Sequence, residues 1–283
     1  MVQEEKKQIA TRLKEYCSQK GSQNKAANSL NGVSSATISK ILAGDWETIS
    51  DEMWRTIAAQ TGHDKRGEWN IAETRAYKRM TFLLNSAKSD SLVLAVTGDA
   101  GCGKTEAIRT YTQNNRNVYH LCCSEYWNRR VFMSKLLQCM GVDFSGATVS
   151  DMMDDIIDNL KKKDTPMVIL DEADKLSDQV LYFFISIYNQ LEGHCGLILC
   201  ATNYLEKRIK KGLRSKRKGY EEIYSRLGRK FIELQVINRE DVAAVCIANG
   251  VTEDEIINAI VADSECDLRR VKRAVWAEQK RAK

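Results

Sequence analysis

The sequence predicts an α/β protein: a parallel P-loop sheet covered by helices, with a helical module at each end. Three observations carry that expectation. Residues 98–105 read Gly-Asp-Ala-Gly-Cys-Gly-Lys-Thr, between the apolar run Leu92–Val96 and a stretch from Glu106 to Tyr111 that continues as a helix. Met167-Val-Ile-Leu170, an apolar run suited to a strand buried on both faces, ends in Asp171-Glu172-Ala-Asp174. From Ser91 apolar runs alternate with helical stretches, and after Asn238 only helical periodicity remains.

Taken in order, residues 1–64 read as a compact helical domain. Gln23–Leu30 forms one short helix, Asn31-Gly32-Val33 a tight turn, and Ser34 or Ser35 caps a second helix that Gly44 stops. Trp54, Ile57 and Ala58 come from a following helix and close the core. The arrangement resembles a helix-turn-helix, whose second helix would read a major groove through Ser34, Ser35, Thr37, Ser39 and Lys40. Residues 22–64 carry three basic and five acidic side chains, so this module alone should grip DNA weakly, and a small docking domain is the competing reading.

Residues 65–90 are expected to form a basic helical connector with Tyr77, Met80, Leu83 and Leu84 facing inward. The sheet domain then spans 91–237. Strands are predicted at Leu92–Thr97, Val118–Cys122, Met167–Leu170, Leu197–Ala201 and Phe231–Val236, with helices near 104–115, 128–140, 148–163 and 177–191. A helical domain over 238–283 has segments Arg239–Asn249, Thr252–Asp263 and Asp267–Lys280.

The glycine loop carries the clearest chemistry. Gly98, Gly101 and Gly103, with Asp99, Ala100 and Cys102 between them, let backbone N–H groups turn around an anion at the N-terminus of a helix opening with Glu106. Lys104 is then set against the outer phosphates of ATP, and Thr105 offers a hydroxyl to Mg²⁺. In a P-loop protein the acid ending a later strand, Asp171, is a second metal ligand, and its neighbour Glu172 polarises the attacking water. Asp174 is expected to cap the helix starting near Ser177.

Composition excludes several classes. The 283 residues are 43% hydrophobic and 29% charged, ordinary for a globular protein, and no apolar run approaches the ~20 residues needed to cross a bilayer. Met1–Lys7 is charged with no apolar segment behind it, so no secretion signal is expected. Nine scattered cysteines without a CxxC pair, and only three histidines, argue against zinc and for free thiols in a reducing cytoplasm. Pro166 is the sole proline, which excludes a proline-rich linker.

The net charge of +5 is unevenly spread. Lys207–Lys218 holds eight basic residues and no acid, and Asp267–Lys283 holds seven basic against two acidic, leaving −8 for the rest. Such concentration favours a polyanion partner over a merely solubilising loop. Two regions are candidate DNA contacts. One is Lys207, Arg208, Lys210, Lys211, Arg214, Lys216, Arg217 and Lys218. The other is Tyr126, Trp127, Asn128, Arg129 and Arg130, where the aromatic pair could equally pack in the core.

Glycine loop, acid pair, a polar residue ending the next strand (Leu199-Cys-Ala-Thr-Asn203) and the C-terminal helices together resemble an AAA+ ATPase. More narrowly, the whole chain is similar to the Mu B-like target-selector ATPases of transposition. The most specific segment is Ile223-Tyr-Ser-Arg-Leu-Gly-Arg229 before Phe231–Leu234, which looks like the family's arginine-bearing turn. The resemblance implies that Asn203 orients the lytic water. It implies that Arg226, with Arg229 in reserve, enters the neighbouring subunit's site, and that Arg269 in the helical lid touches the γ-phosphate. The lid motif usually begins with glycine; Cys266 stands there instead.

By the same resemblance, the chain would assemble with ATP as a helical homo-oligomer on double-stranded DNA, with little sequence preference. It would recruit and stimulate a transposase and take part in target immunity, in the bacterial cytoplasm near the nucleoid and without a membrane partner. Two other readings share these features: a helicase loader or replication initiator, and a helix-turn-helix transcription regulator with an ATP switch.

Overall fold

The computed structural model describes residues 1–62 and 69–281. The expected boundary between residues 64 and 65 therefore lies outside the described residues. The chain divides into two compact units, Met1–Glu68 with Arg129–Asn159, and Trp69–Asn128 with Leu160–Lys283.

The first unit is helical. α1 spans Gln3–Lys20, α2 Gln23–Ser29, α3 Ser35–Ala43 and α4 Asp51–Thr61, followed by α7 (Arg129–Met140) and most of α8 (Val149–Lys161). Serines start three of these helices as N-caps: Ser22 accepts from Lys25 N, Ser34 from Thr37 N and Ser50 from Met53 N. Each satisfies a donor that the first helical turn leaves unpaired. Of the two serines considered, Ser34 is the cap, and Gly44 ends α3 in a left-handed conformation. Ile9, Leu13, Leu30, Ile38, Ile41, Trp54 and Ile57 build the core. α1 was not foreseen as a separate helix, although Ile9, Leu13 and Cys17 recur every fourth residue and are its buried face.

The second unit is an α/β sandwich around a five-stranded parallel sheet in the order β2-β3-β4-β1-β5. β1 is Val93–Thr97, β2 Val118–Cys122, β3 Met167–Asp171, β4 Gly196–Ala201 and β5 Ile232–Glu233. β3 and β4 are buried at every position because helices cover both faces, which is why they read as unbroken apolar runs. The last strand is two residues, shorter than the Phe231–Val236 run suggested, and its Glu233 is exposed. Since all strands run the same way, Thr97, Asp171 and Ala201 finish at one edge, where the loops can converge on a ligand.

The helices of this unit are α5 (Arg75–Ser89), α6 (Lys104–Asn114), α9 (Asp178–Leu191), α10 (Asn203–Arg214), α11 (Tyr220–Arg226), α12 (Arg239–Ala248), α13 (Asp254–Ser264) and α14 (Leu268–Arg281), with a 3-10 turn at Ala173–Lys175. The segment expected to be a connector becomes α5, capped by Thr74, with Met80, Leu83 and Leu84 in the main core and Tyr77 partly buried against it. α10 and α11 lie within the basic run and just beyond it, where no helix was expected. No helix among the described residues is long and apolar enough to cross a membrane.

Candidate nucleotide site and basic surface

The glycine loop leaves β1 and closes at the first turn of α6. Gly101 has φ +80° and Gly103 +93°, left-handed values that a Cβ disfavours, so glycine at both positions lets the chain double back tightly. Gly103 is also the N-cap residue of α6, and its carbonyl accepts from Ala107 N at 3.0 Å. Lys104 Nζ donates to the carbonyls of Gly98 (2.7 Å) and Asp99 (2.8 Å), which holds its ammonium at the mouth of the loop. Thr105 Oγ1 donates to Asp171 Oδ2 at 2.7 Å.

That last bond joins the two sequence motifs physically. Asp171 is 1% exposed. Burial opposes its ionisation, but the His120 imidazole 3.6 Å away, the Thr105 hydroxyl and the backbone N–H of Glu172 at 3.0 Å outweigh it and hold the carboxyl below its usual range. Glu172 follows with φ +56°, a left-handed turn that directs it away from the strand. Its Oε2 accepts from Lys175 Nζ at 2.7 Å and from Cys122 Sγ at 3.5 Å. Burial first, then the charges of Glu172 and Asp171, push the Cys122 thiol up to about 11, so it stays protonated at neutral pH.

Asp174 does not cap α9. Ser177 is the N-cap residue there, and Asp174 Oδ2 instead accepts from Thr202 Oγ1 at 2.8 Å. The 3-10 turn at Ala173–Lys175 takes up the residues between, so Asp174 stops too early to reach that helix end.

These groups line a cavity of about 480 Å³ whose walls are of two chemical kinds. One is polar: the glycine loop, Asp171, Glu172, Asp174 and Thr202. The other is largely apolar and aromatic: Trp69, Ile71, Ala72, Tyr77, Val245 and Leu268. Trp69 meets Trp276 edge to face at 5.8 Å, and Lys272 Nζ lies 4.9 Å from the centre of the Trp69 ring. Trp69, Thr202 and Lys272 were missed by sequence reasoning. Trp69 carries no motif, and its place depends on α14, about 200 residues later in the chain.

Arg269 and Lys272 line the cavity, whereas Arg270 turns away to Glu265 (2.9 Å) and Asp263 (3.7 Å). That sorts the crowded basic segment 269–273. Leu268 N donates to Gly101 O at 3.0 Å, tying the start of α14 to the loop. Cys266, standing where glycine was expected, has φ +60°, so the backbone still takes the conformation that favours glycine.

Other anticipated residues lie elsewhere. Asn203 does not line the cavity; its Nδ2 donates to Glu233 Oε1 at 3.0 Å, and the preceding Thr202 faces the site instead. Arg226 is also outside it, beside Asn189 (3.2 Å), Glu222 (3.5 Å) and the Tyr188 ring. Trp127 is 7% exposed and belongs to the core, whereas Tyr126 is 79% exposed and Asn128, Arg129 and Arg130 face solvent.

In the basic run Lys207, Lys210, Lys211, Arg214, Lys216, Arg217 and Lys218 are exposed. Arg208 is not: its side chain is 15% exposed and pairs with Asp178, so it is withdrawn from the surface set. On α3, Lys40 is exposed and Ser35 and Thr37 are half-buried, with the Thr37 hydroxyl 2.9 Å from Ser34 Oγ.

Thr105 and Asp171 present two hard oxygens within a hydrogen bond of each other, one on a buried carboxylate. That donor set suits Mg²⁺, which prefers one or two protein oxygens completed by phosphates and water.

Residues 87–209 match the AAA domain family. Over 189 residues the chain is 26% identical to the Mu-like prophage FluMu DNA transposition protein B of Haemophilus influenzae, covering 65% of this chain and 62% of that protein. Over 257 residues it is 23% identical to the ATP-dependent target DNA activator B of Escherichia phage D108, covering 81% of this chain and 75% of that one. Two solved structures are more remote. A Thermotoga maritima RuvB mutant is 14% identical, with TM-score 0.44, covering 71% of this chain and 59% of that one. Drosophila ORC bound to DNA is 15% identical, with TM-score 0.47, covering 76% and 58%.

Proposed function

We propose that this chain, a Mu B-like AAA+ ATPase, binds duplex DNA under control of ATP and delivers that DNA to a transposase. The observation that carries the reading is the course of α10. The helix is capped by Thr202, on the wall of the nucleotide cavity, and carries exposed Lys207, Lys210, Lys211 and Arg214 away from it. The relatives named for transposition and for ATP-dependent target DNA activation support it.

In this reading the triphosphate lies along the glycine loop, with its base against the aromatic lining of Trp69 and Tyr77. Lys104 turns from the loop carbonyls to the outer phosphates. Thr105 and Asp171 would hold Mg²⁺, which would supply charge neutralisation for the phosphates. Glu172 accepts the proton of the water that attacks the γ-phosphorus, releasing ADP and phosphate. Thr202 takes over the orienting role expected of Asn203, because it reaches the cavity. Arg269, on a lid formed by α12–α14, neutralises charge from above.

Arg226 lies outside its own site, which suits a finger offered to the next copy in a helical filament. DNA contacts then fall to the exposed lysines and arginines of residues 207–218, with Tyr126, Asn128, Arg129 and Arg130. α2, the turn and α3 form the helix-turn-helix, with Ser35, Thr37 and Lys40 as its readers. All of this suits a bacterial protein acting where the chromosome lies.

Nuclease footprinting on a random-sequence duplex tests the reading. Uniform ATP-dependent protection is expected. A single discrete protected site would favour the sequence-specific regulator.

A further inference from the structure

Arg208 is the odd member of the basic run. Seven of its neighbours in the run face solvent, yet its guanidinium is spent on the protein interior. Nη1 donates to the carbonyls of Leu176 (2.6 Å) and Asp174 (3.3 Å), Nη2 pairs with Asp178, and Nε donates to Tyr220 Oη at 3.2 Å. Tyr220 Oη in turn donates to Asp178 Oδ1 at 2.7 Å, and Arg217 Nη2 lies 2.8 Å from Asp178 Oδ2. Burial opposes the charge on Asp178, but these donors prevail and keep its carboxyl below the ordinary range. A guanidinium suits this position because its planar fork can hold several acceptors at once, which a lysine cannot.

Three of the four acceptors of Arg208 lie in segment 174–178, which begins two residues after Glu172. The same segment is fastened to α10 a second time, through Thr202 Oγ1 to Asp174 Oδ2. α10 is therefore held at its N-cap and in its second turn to the chain that carries the acid pair. Its far end is equally constrained. A Cβ on Gly212 would come within 2.3 Å of the Tyr220 ring, and Tyr182 Oη donates to the Lys218 carbonyl. A helix clamped this closely moves with the acid turn or not at all, since packed elements shift as units.

We propose that Arg208 is the link through which the nucleotide state at Asp171 and Glu172 sets the pose of the basic face of α10 toward DNA. It acts as a positioning residue that contacts neither ligand, and the proposal rests on the nucleotide and DNA reading above. The chemistry coupled is a triphosphate at one end and a phosphodiester backbone at the other.

The test compares full-length parent, Arg208→Gln and Tyr220→Phe for affinity to a random duplex, with a non-hydrolysable ATP analogue and without nucleotide. ATP-analogue affinity and the salt dependence of DNA binding are measured alongside. For Arg208→Gln we expect nucleotide-free DNA binding and its salt slope to be kept. ATP-analogue affinity should stay within about twofold, while the ratio of DNA affinities with and without the analogue falls by about tenfold. Tyr220→Phe, which removes the two bonds made by the hydroxyl and spares the charge pair, should lower the ratio part-way; it decides the matter if Arg208→Gln does not fold.

An unchanged ratio in the folded variants overturns the link. So does a reduced salt slope in Arg208→Gln, which would make the residue bind a phosphate directly. A ratio of one in the parent itself sinks the underlying nucleotide and DNA reading, and the link with it.

Discussion

The nucleotide cavity and the basic arm of α10 and α11 are both built from segments of extreme composition, yet they use their residues oppositely. In the glycine loop the backbone does the work. Gly101 and Gly103 sit at left-handed φ, and Lys104 and Thr105 each have their own target within 2.8 Å. In the arm the side chains do the work and like charges divide their labour: Lys207 and Lys211 face solvent while Arg208 is a half-buried tie. A loop whose geometry demands particular residues declares its role in sequence. A run of like charges hides which of them are structural.

The strongest way to break that comparison is through Arg226, which stands at the end of the arm. Arg226→Ala should leave ATP affinity intact and reduce turnover by about 10³-fold if it completes the neighbouring copy's site. Steady-state phosphate release at saturating ATP reads this directly, and full turnover would leave the arm with no part in hydrolysis. Next in size is Lys104→Ala. Removing a charge-assisted interaction of about 1.5–3 kcal/mol should weaken ATP binding by roughly 10–100-fold. Equilibrium binding of a fluorescent ATP analogue measures it.

Both regions owe their legibility to how locally their residues are constrained. β3 was readable because Met167–Leu170 has no polar break, and Asp171 was found because it ends that strand. α10 was not read as a helix because its buried stripe is only Leu205, Ile209 and Gly212 beneath a crowd of lysines and arginines. Asp174 was misassigned because nothing local distinguishes a capping acid from one whose partner, Thr202, comes 28 residues later. Trp69 and Lys272 escaped notice for the same reason: they meet only across a long stretch of chain.

A finer test separates surface charge from tie. Replacing Lys207, Lys210 and Lys211 with alanine should lower the slope of log affinity against log salt by about 0.9 for each phosphate no longer neutralised. DNA titrations across a salt series give the number, and an unchanged slope would remove the arm from the interface. The smallest effect concerns the backbone just before α14. Cys266→Gly should relieve the left-handed strain at φ +60°, offset in part by glycine's greater unfolded freedom, for a net gain below about 1 kcal/mol. Chemical denaturation reads the sign, and a loss of stability would contradict the strain argument.

The most direct measurement is the affinity of the purified chain for one random-sequence duplex under three conditions: a non-hydrolysable ATP analogue, ADP, and no nucleotide. Control of DNA binding by the cavity predicts binding at least about tenfold tighter with the analogue than with ADP or without nucleotide. Equal affinities in all three would contradict it.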